Sequence, residues 1–594
     1  MTASLTTPGA LAFLAGSSYA LGTMVLSGIE WPDLRAYERI ALRLAAGLGL
    51  TALLLSLLAL ADWFSYATPI LGALTLAGLA VVGAGFSRTL VRLKADPTNT
   101  PPANRVLMYV IAVAAVLGCA GAIAPITDDD ALDYVVPIAR HIASSGRLLV
   151  WPDQAHSMFP QSQQVLLAWT LGAGGDRLGA VTAFEWLLCL AIVGALARRV
   201  SGPDSVAPAI VVALGAPALA FLVTSGKEDL LLVAMTAATA LCVCGGGTRR
   251  ELLAAGLFAG LAAGAKYSGL GVVMAAVGWV VLSKRERRWG SAIAVAVGAI
   301  ATGGVWYALN LWRYGNPVAP LIFGAPGTPY DAAIASLYNN NFGLGRSVVA
   351  FALAPLRTFL DSSAFGGRAN LYNPLAYAGL VALVVPDLRR RHGALLFMAA
   401  VLYVGWFFNL QNARLLLPAA VLLAPAAAEC VLVPMLGSSW PFRTAAWTVV
   451  TVSLGIVAAV GAIRVVRYVE DPATYLERET QHYADIRWMN EHLDPAKDRV
   501  ASEFKVLGYL AVPSLVLDPT RQLEISAGEL ERPDLMLFAA RRQGITHLFG
   551  TAGSFAAVRL HLRVVHENPA SRLGGVRFLR EPPSEPTAVF QIVD

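Results

Sequence analysis

Charge is what this chain has least of. Only 14% of its 594 residues are Asp, Glu, Lys or Arg, against roughly a quarter in soluble domains, and the shortage excludes an ordinary water-soluble fold. Cysteine is scarce as well. Cys119, Cys189, Cys242, Cys244 and Cys430 all fall in apolar stretches, so they read as small core residues and no disulfide framework is expected. The first residues lack a basic segment ahead of an apolar core, which argues against a cleavable signal peptide. Neither an internal repeat nor a low-complexity segment is visible. The net charge of +6 comes from Lys and Arg in short clusters between apolar spans, the mark of basic cytoplasmic loops and not of a nucleic-acid partner.

What the chain does have is hydrocarbon. Residues of hydrophobic type make up 56% of it, and runs long enough to cross a bilayer are read near 10–28, 40–62, 68–92, 106–126, 178–197, 205–223, 229–245, 251–265, 268–283, 290–310, 371–386, 393–409, 412–436 and 443–466. The expected class is therefore a mainly α, polytopic membrane protein with twelve to fourteen transmembrane helices. Basic clusters at Arg88, Arg92, Lys94 and Arg105, at Arg198 and Arg199, at Arg249 and Arg250, at Lys284, Arg285, Arg287 and Arg288, and at Arg389, Arg390 and Arg391 all fall on one side. The positive-inside rule makes that side cytoplasmic. This holds only if Gln161 to Leu171 does not cross, so a short amphipathic helix on the outer surface is expected there.

The remaining loops then lie outside. The expected partition is 1–104 as an N-terminal transmembrane extension, 105–467 as a catalytic core with outer loops 127–177 and 311–370, and 468–594 as an extracytoplasmic α/β domain. The last reading rests on a helical pattern from Ala473 to His492, followed by short apolar runs at Leu515 to Leu517, Thr546 to Phe549, Arg563 to Val565 and Ala588 to Val593, which suit strands.

The chemistry starts where the span 106–126 ends, with TDDDALDYVV. Asp128, Asp129, Asp130 and Asp133 stand there together, and ionised groups at a membrane boundary need water, cations or a metal. Asp130, with Asp129 as alternate, suits a general base acting on an acceptor hydroxyl. Asp129 and Asp130 together also suit a hard divalent cation, Mg or Mn. The bland reading is an N-terminal cap on the next helix, for which one aspartate suffices.

Four further places carry charge. Lys227, Glu228 and Asp229 occupy a very short outer turn, either as a second charged group or as an ordinary polar hairpin tip. Lys266 and Tyr267 interrupt a Gly-rich apolar stretch, where an ammonium suits a lipid-linked phosphate or snorkels. Arg313 opens the loop NLWRYGNPVAP among aromatics, as a sugar or phosphate contact or as part of an interfacial belt. Arg414, in QNARLLLP, is a bidentate phosphate ligand or an anchor.

In their order these motifs resemble the GT-C integral-membrane glycosyltransferases, in particular the bacterial branch similar to protein O-mannosyltransferases and the lipid A aminoarabinose transferase. The family's first outer loop carries a pattern D-x-L-x-Y-H-x-P, matched here by Asp130, Leu132, Tyr134 and Pro137, with Val135 in place of histidine. Phe159 to Gln161, the run from Gly256 to Gly269 that includes Gly260, Lys266 and Tyr267, Gly315 to Pro320, and Gln411 to Pro418 are also family-like. Gln164 stands where an acidic residue is common and Leu415 where tyrosine is. The resemblance spans about 105–470. It implies transfer of a sugar from a polyprenyl-phosphate donor, with inversion, to a glycan, lipid or protein acceptor at the extracytoplasmic face of a bacterial inner membrane. Asp130 would be the base, Lys266 and Arg414 the phosphate binders, and Tyr134, Tyr267, Lys227, Glu228, Asp229 and Arg313 further substrate contacts. The competing class is a transporter or flippase for a lipid-linked glycan, which favours internal repeats and midplane charges.

Overall fold

The computed structural model describes residues 6–593 apart from 30, 32–33, 79, 81–101, 149, 246, 284–287, 368–372 and 573–583. Arg88, Arg92, Lys94, Lys284, Arg285, Arg287 and the second half of the expected span 68–92 lie outside the described residues. The remainder divides into two compact units.

The first unit comprises Met1–Ala124, Pro160–Trp306 and Asn340–Val465 and is helical. Among the described residues eight helices are long and apolar enough to cross a membrane: Thr7–Leu26, Ala36–Leu60, Arg105–Ile123, Gly179–Ser201, Arg288–Tyr314, Pro386–Phe408, Ala413–Gly437 and Trp440–Glu470. Each coincides with an expected span. Of the other six expected spans, 68–92 lies partly outside the described residues and five are shorter, and their sequences say why. The stretch near 205–223 is two helices, Val206–Leu214 and Pro217–Leu222, because Pro217 has no N–H to donate and holds Ala216 extended. Asp229–Val243 has 15 residues, every one buried, so neighbouring helices sheathe it. Arg249–Ala265 opens on a capping box in which Thr248 accepts from the Glu251 N–H. The run near 371–386 is a ten-residue 3-10 helix, Pro374–Leu383.

The expected outer-surface helix at Gln161 to Leu171 needs correcting. A helix is there, Ser162–Gly172, and its 11 residues reach only about 16 Å, too short to cross. It does not lie on a surface. Residues Ser162 to Thr170 are all buried, because both its faces pack against neighbouring helices, including Ala36–Leu60, and Ser162 Oγ donates to the Gly264 carbonyl at 2.7 Å.

The second unit comprises Pro125–Phe159, Tyr307–Asn339 and Val466–Asp594, so parts of both expected outer loops belong with the tail. Its frame is a five-stranded sheet ordered β2-β1-β3-β5-β4, with β1 at Val500–Ser502, β2 at Ser514–Val516, β3 at His547–Thr551, β4 at Leu562–Arg572 and β5 at Ser584–Ile592. Strands β2, β1 and β3 are parallel, while β5 is antiparallel to β3 and β4. Side chains alternate along these strands. Ala501, Leu515, Leu548 and Phe590 pack with Met536, Leu537 and Ala540 of helix Pro533–Arg542. Val500, Val516, Phe549 and Val589 pack on the other face with Ile486 and Met489 of helix Tyr483–His492. The loop segments join this domain by main-chain bonds, Ala155 N to Arg521 O at 2.6 Å and Leu523 N to Pro152 O at 2.8 Å. They also share a small apolar core that includes Met158, Tyr330, Ile334 and Leu523.

Helix crossings in the first unit depend on missing side chains. A Cβ on Gly47 would stand 1.6 Å from the Ser18 carbonyl oxygen, and one on Gly22 1.8 Å from that of Arg43, so helices Thr7–Leu26 and Ala36–Leu60 touch backbone to backbone. Packing of this kind drives helix association in lipid, where no hydrophobic effect separates helix from tail. Gly47→Val is therefore expected to lower stability by about 3 kcal/mol or more, since overpacking alone costs roughly 1–3. Gly455→Val, where nothing lies within 4 Å, should change it little. Thermal unfolding of the purified variants checks this, and equal midpoints would disprove the tight crossing.

Candidate functional site

The acidic motif lies in the second unit. After Asp130 the chain winds as a π-helix over Ala131–Val135 before continuing as Val136–Ser145. Pro137 contributes to this irregularity. It offers no N–H to the Asp133 carbonyl four residues back, and that carbonyl accepts from Gln154 Nε2 at 2.8 Å instead. Widened turns of this type recur at functional positions.

The four aspartates have four different situations. Asp128 Oδ1 accepts from the Ala131 N–H at 3.0 Å, which is the capping role and uses one carboxylate only. Asp129 Oδ2 accepts from Gln481 Nε2 at 3.1 Å. Asp130 Oδ1 lies 3.4 Å from Lys505 Nζ, with side chains 32% and 39% exposed respectively. Asp133 is enclosed, its side chain 0% exposed, and pairs with Arg521. Burial pushes the Asp133 carboxyl up to about 6 against the opposing field of Arg521, while the guanidinium is held protonated by the same carboxylate. At neutral pH both are charged. Of the two aspartates named as base, Asp130 is thus part-exposed beside a cation and its alternate Asp129 accepts from an amide, while Asp133 is committed to structure.

Around them is an aromatic wall. Tyr134 stacks on His156 with ring centroids 4.4 Å apart, and Phe159 and Tyr338 meet the imidazole edge-on. His156 Nδ1 lies 3.0 Å from Gln154 Oε1. That oxygen can only accept, so Nδ1 carries the proton and Nε2 faces Arg521 at 3.5 Å as acceptor. Arg313 is in the same unit, directed to the Leu148 carbonyl at 3.5 Å.

Asp129 and Asp130 are a sparse donor set for the expected divalent cation. Magnesium and manganese sites are built from about six hard ligands, whereas one of these carboxylates accepts from an amide and the other pairs with an ammonium. Among the described residues no three His, Cys, Asp or Glu side chains converge in a metal-ligating group.

The other expected residues meet in the first unit. Lys266, the C-terminal cap of helix Arg249–Ala265, places Nζ 2.9 Å from Glu228 Oε1 and 3.0 Å from Asp229 Oδ1. Arg414, on the 3-10 turn Ala413–Leu416, places Nε 3.5 Å from Asp229 Oδ2. Lys227 is near enough to act on Asp229 electrostatically. Lys227, Glu228, Asp229 and Arg414 are all buried, as is Tyr267. The hairpin-tip and anchoring-arginine readings are therefore set aside, since these side chains form one ionic cluster. Lys266 and Arg414 are engaged with carboxylates.

Several residues here escaped the sequence reading. Glu185, fully buried in the helix Gly179–Ser201, lies beside Gln163 and near Glu228. A lone carboxylate inside an apolar span was its available signal. Lys505, Arg521 and Gln481 carried no signal, because each meets its partner more than 350 positions away.

Next to Arg414 the first unit holds an apolar groove of about 230 Å³, lined by Tyr377, Leu380, Leu396, Tyr403, Leu416 and Leu423 among others. Leu416 ends the turn that carries Arg414.

Comparison with known proteins adds the fold. The DUF1420 N-terminal domain matches residues 94–244, a stretch holding the acidic motif and Lys227 to Asp229. No curated protein sequence matches. ArnT from Cupriavidus metallidurans, solved bound to undecaprenyl phosphate, is similar at 13% identity over 82% of this chain and 98% of its own, with a TM-score of 0.54. The oligosaccharyltransferase of Archaeoglobus fulgidus, solved with Zn and sulfate, is similar at 14% identity over 75% of this chain and 68% of its own, with a TM-score of 0.51. The chain has the polytopic GT-C fold that these membrane enzymes share.

Proposed function

We propose that this protein is a glycosyltransferase that takes a sugar from a polyprenyl-phosphate donor and gives it to an acceptor hydroxyl at the extracytoplasmic face of a bacterial inner membrane. The observation that carries the reading is Asp130. It is a part-exposed carboxylate with Lys505 at 3.4 Å, set on a π turn whose neighbouring aspartates serve a cap, an amide bond and a buried ion pair.

In the proposed reaction Asp130 accepts the acceptor's hydroxyl proton while that oxygen bonds to the anomeric carbon. The bond from the anomeric carbon to the phosphate oxygen breaks, and polyprenyl phosphate leaves with the electron pair, so the sugar inverts. Phosphate is a good leaving group, so one base and stabilisation of the developing charge suffice. Lys266 and Arg414 are assigned to that charge, and the groove beside Arg414 suits a prenyl tail. Tyr134, with its ring stacked on His156, and Arg313 are assigned to sugar or acceptor, and Asp129 is the alternate base.

Incubating the purified protein with radiolabelled polyprenyl-phosphate sugars and membrane extract tests the whole. Label moving to a glycan, lipid or protein supports it. Label that stays on the lipid but crosses a vesicle bilayer would make the protein a flippase.

Asp130→Asn should lower turnover by on the order of a hundredfold or more with an unchanged thermal midpoint. Asp133→Asn should act on folding instead. It leaves Arg521 buried without its carboxylate, at about 3–5 kcal/mol, and lowers the midpoint. If Asp130→Asn keeps its turnover, the assignment of the base is wrong.

For the phosphate, Arg414→Ala should weaken binding of a donor analogue by about 1.5–3 kcal/mol, the scale of a charge-assisted hydrogen bond. Arg414→Lys should recover only part, since an ammonium lacks the two-pronged guanidinium geometry. Lys266→Ala should weaken donor affinity comparably. Calorimetric titration decides: affinities equal to wild type in both alanine variants would leave the cluster a purely structural one.

A further inference from the structure

Helix Val348–Leu360, inside the expected outer loop 311–370, reads VVAFALAPLRTFL and has one charged side chain, Arg357. A helix that is apolar on every side is sheathed by protein or by membrane. One face of this helix is sheathed by protein. Ala354 and Thr358 are buried. Phe351 sets its ring edge-on to Tyr403 and Phe407 of the long helix Pro386–Phe408, with centroids 5.0 Å from each, and Tyr403 Oη donates to the Phe351 carbonyl. Farther along, Phe359 meets the Tyr377 ring at 5.9 Å, and Pro355 lines the apolar groove beside Arg414.

The opposite face is bare. Val349, Leu353, Leu356 and Leu360, with Val348 next to them, are 44–85% exposed, and steps of four, three and four residues draw them into one stripe. Whatever covers this stripe is hydrocarbon in character, and the surroundings identify it. Val404 and Phe408, exposed on the helix against which Phe351 rests, and Leu380 and Leu383, exposed where they line the groove, continue the apolar surface onto an element long enough to cross a bilayer. The short helix itself cannot cross. Its 13 residues rise about 20 Å against a hydrocarbon core of about 30 Å. Charge stands at both its ends: Arg346, just before it, donates to the carbonyl of Asn409, the cap that closes helix Pro386–Phe408, and Arg357 lies 3.9 Å from Asp361. A helix too short to cross, with charge at either end, has both ends at one membrane surface.

We propose that helix Val348–Leu360 lies along one surface of the bilayer with its Val349-to-Leu360 stripe sunk among the acyl chains of that leaflet, forming the lipid-side wall of the groove. The inference does not depend on the glycosyl-transfer reading, since a flippase with this fold would carry the same helix.

The test uses the full chain in phospholipid vesicles. In one arm a trace phosphatidylcholine carries a diazirine in its acyl chain, in a second arm the diazirine is on a water-soluble probe, and after photolysis the adducts are mapped by mass spectrometry. Lipid adducts should recur at Val349, Leu353, Leu356 and Leu360 and be absent from Ala354 and Thr358, while the soluble probe should spare the stripe. Leu353→Asp/Leu356→Asp should lower the lipid adducts at Val349 and Leu360 by on the order of tenfold or more, because a carboxylate in hydrocarbon costs several times RT. Leu353→Ala/Leu356→Ala should leave them near wild type. Should the aspartate pair fail to fold, the periodicity in the unaltered chain still decides. A stripe labelled as heavily from water as from lipid, adducts spread evenly over both faces, cross-links between two copies of the chain in place of lipid adducts, or undiminished labelling in a folded aspartate pair would each overturn the proposal.

Discussion

An ionised side chain taken out of water has to meet its counter-charge, and this fold is organised around that requirement. The effective penalty is several kcal/mol for each buried ion. In the helical unit Lys266 sits between Glu228 and Asp229, Arg414 beside Asp229, and Arg198 on Glu38. In the other unit Asp133 is closed over by Arg521, and Arg499 joins Asp153 and Glu524. These pairs tie together segments that are remote in sequence. A chain with so few charges has placed many of them where they fix tertiary structure.

Against that background the pair on which the proposed reaction rests is an exception. Asp130 and Lys505 form a contact at 3.4 Å with both side chains about a third exposed. Screening by water makes such a pair worth little to stability, which is why the proposed base is assigned to this carboxylate and not to an enclosed one. Asp133, three residues on and fully enclosed, is the reverse case. Two aspartates in one motif thus differ in burial, one enclosed with Arg521 and the other part-exposed beside Lys505.

Much of this was legible in the sequence where the signal is local. All eight long apolar helices coincide with expected spans, because a run of hydrocarbon side chains has few other solutions. The positions of Asp130, Lys266 and Arg414 could be read, as span ends with charges. What the sequence withheld was pairing. Nothing near Asp130 announces Lys505, and nothing near Asp229 announces Lys266, 37 positions on. The strand Val500–Ser502 is three residues, all buried, too short for an alternation to show, and yet it sits between β2 and β3. Ser162–Gly172 looked amphipathic because three glutamines precede its apolar half. In the structure Gln161, Gln163 and Gln164 are buried with Glu185, so polarity there signals an interior polar group and not a wet face.

The ionic cluster of the helical unit also bears on how a phosphate would be handled. Lys227, Lys266 and Arg414 are offset by Glu228 and Asp229, with Glu185 close to Glu228. A set of unopposed cations would hold a polyprenyl phosphate product tightly, and tight ground-state binding does not raise turnover. A cluster nearly in balance binds phosphate by exchanging partners, surrendering part of each carboxylate contact as the phosphate gains one. Under the proposed reaction this favours the moment when charge develops on the departing oxygen, for which the N–H groups are already oriented, and it lets the spent carrier go. Under that proposal Glu228 and Asp229 tune affinity as well as serving as counter-ions, through the same buried pairing that fixes Lys266 in the fold.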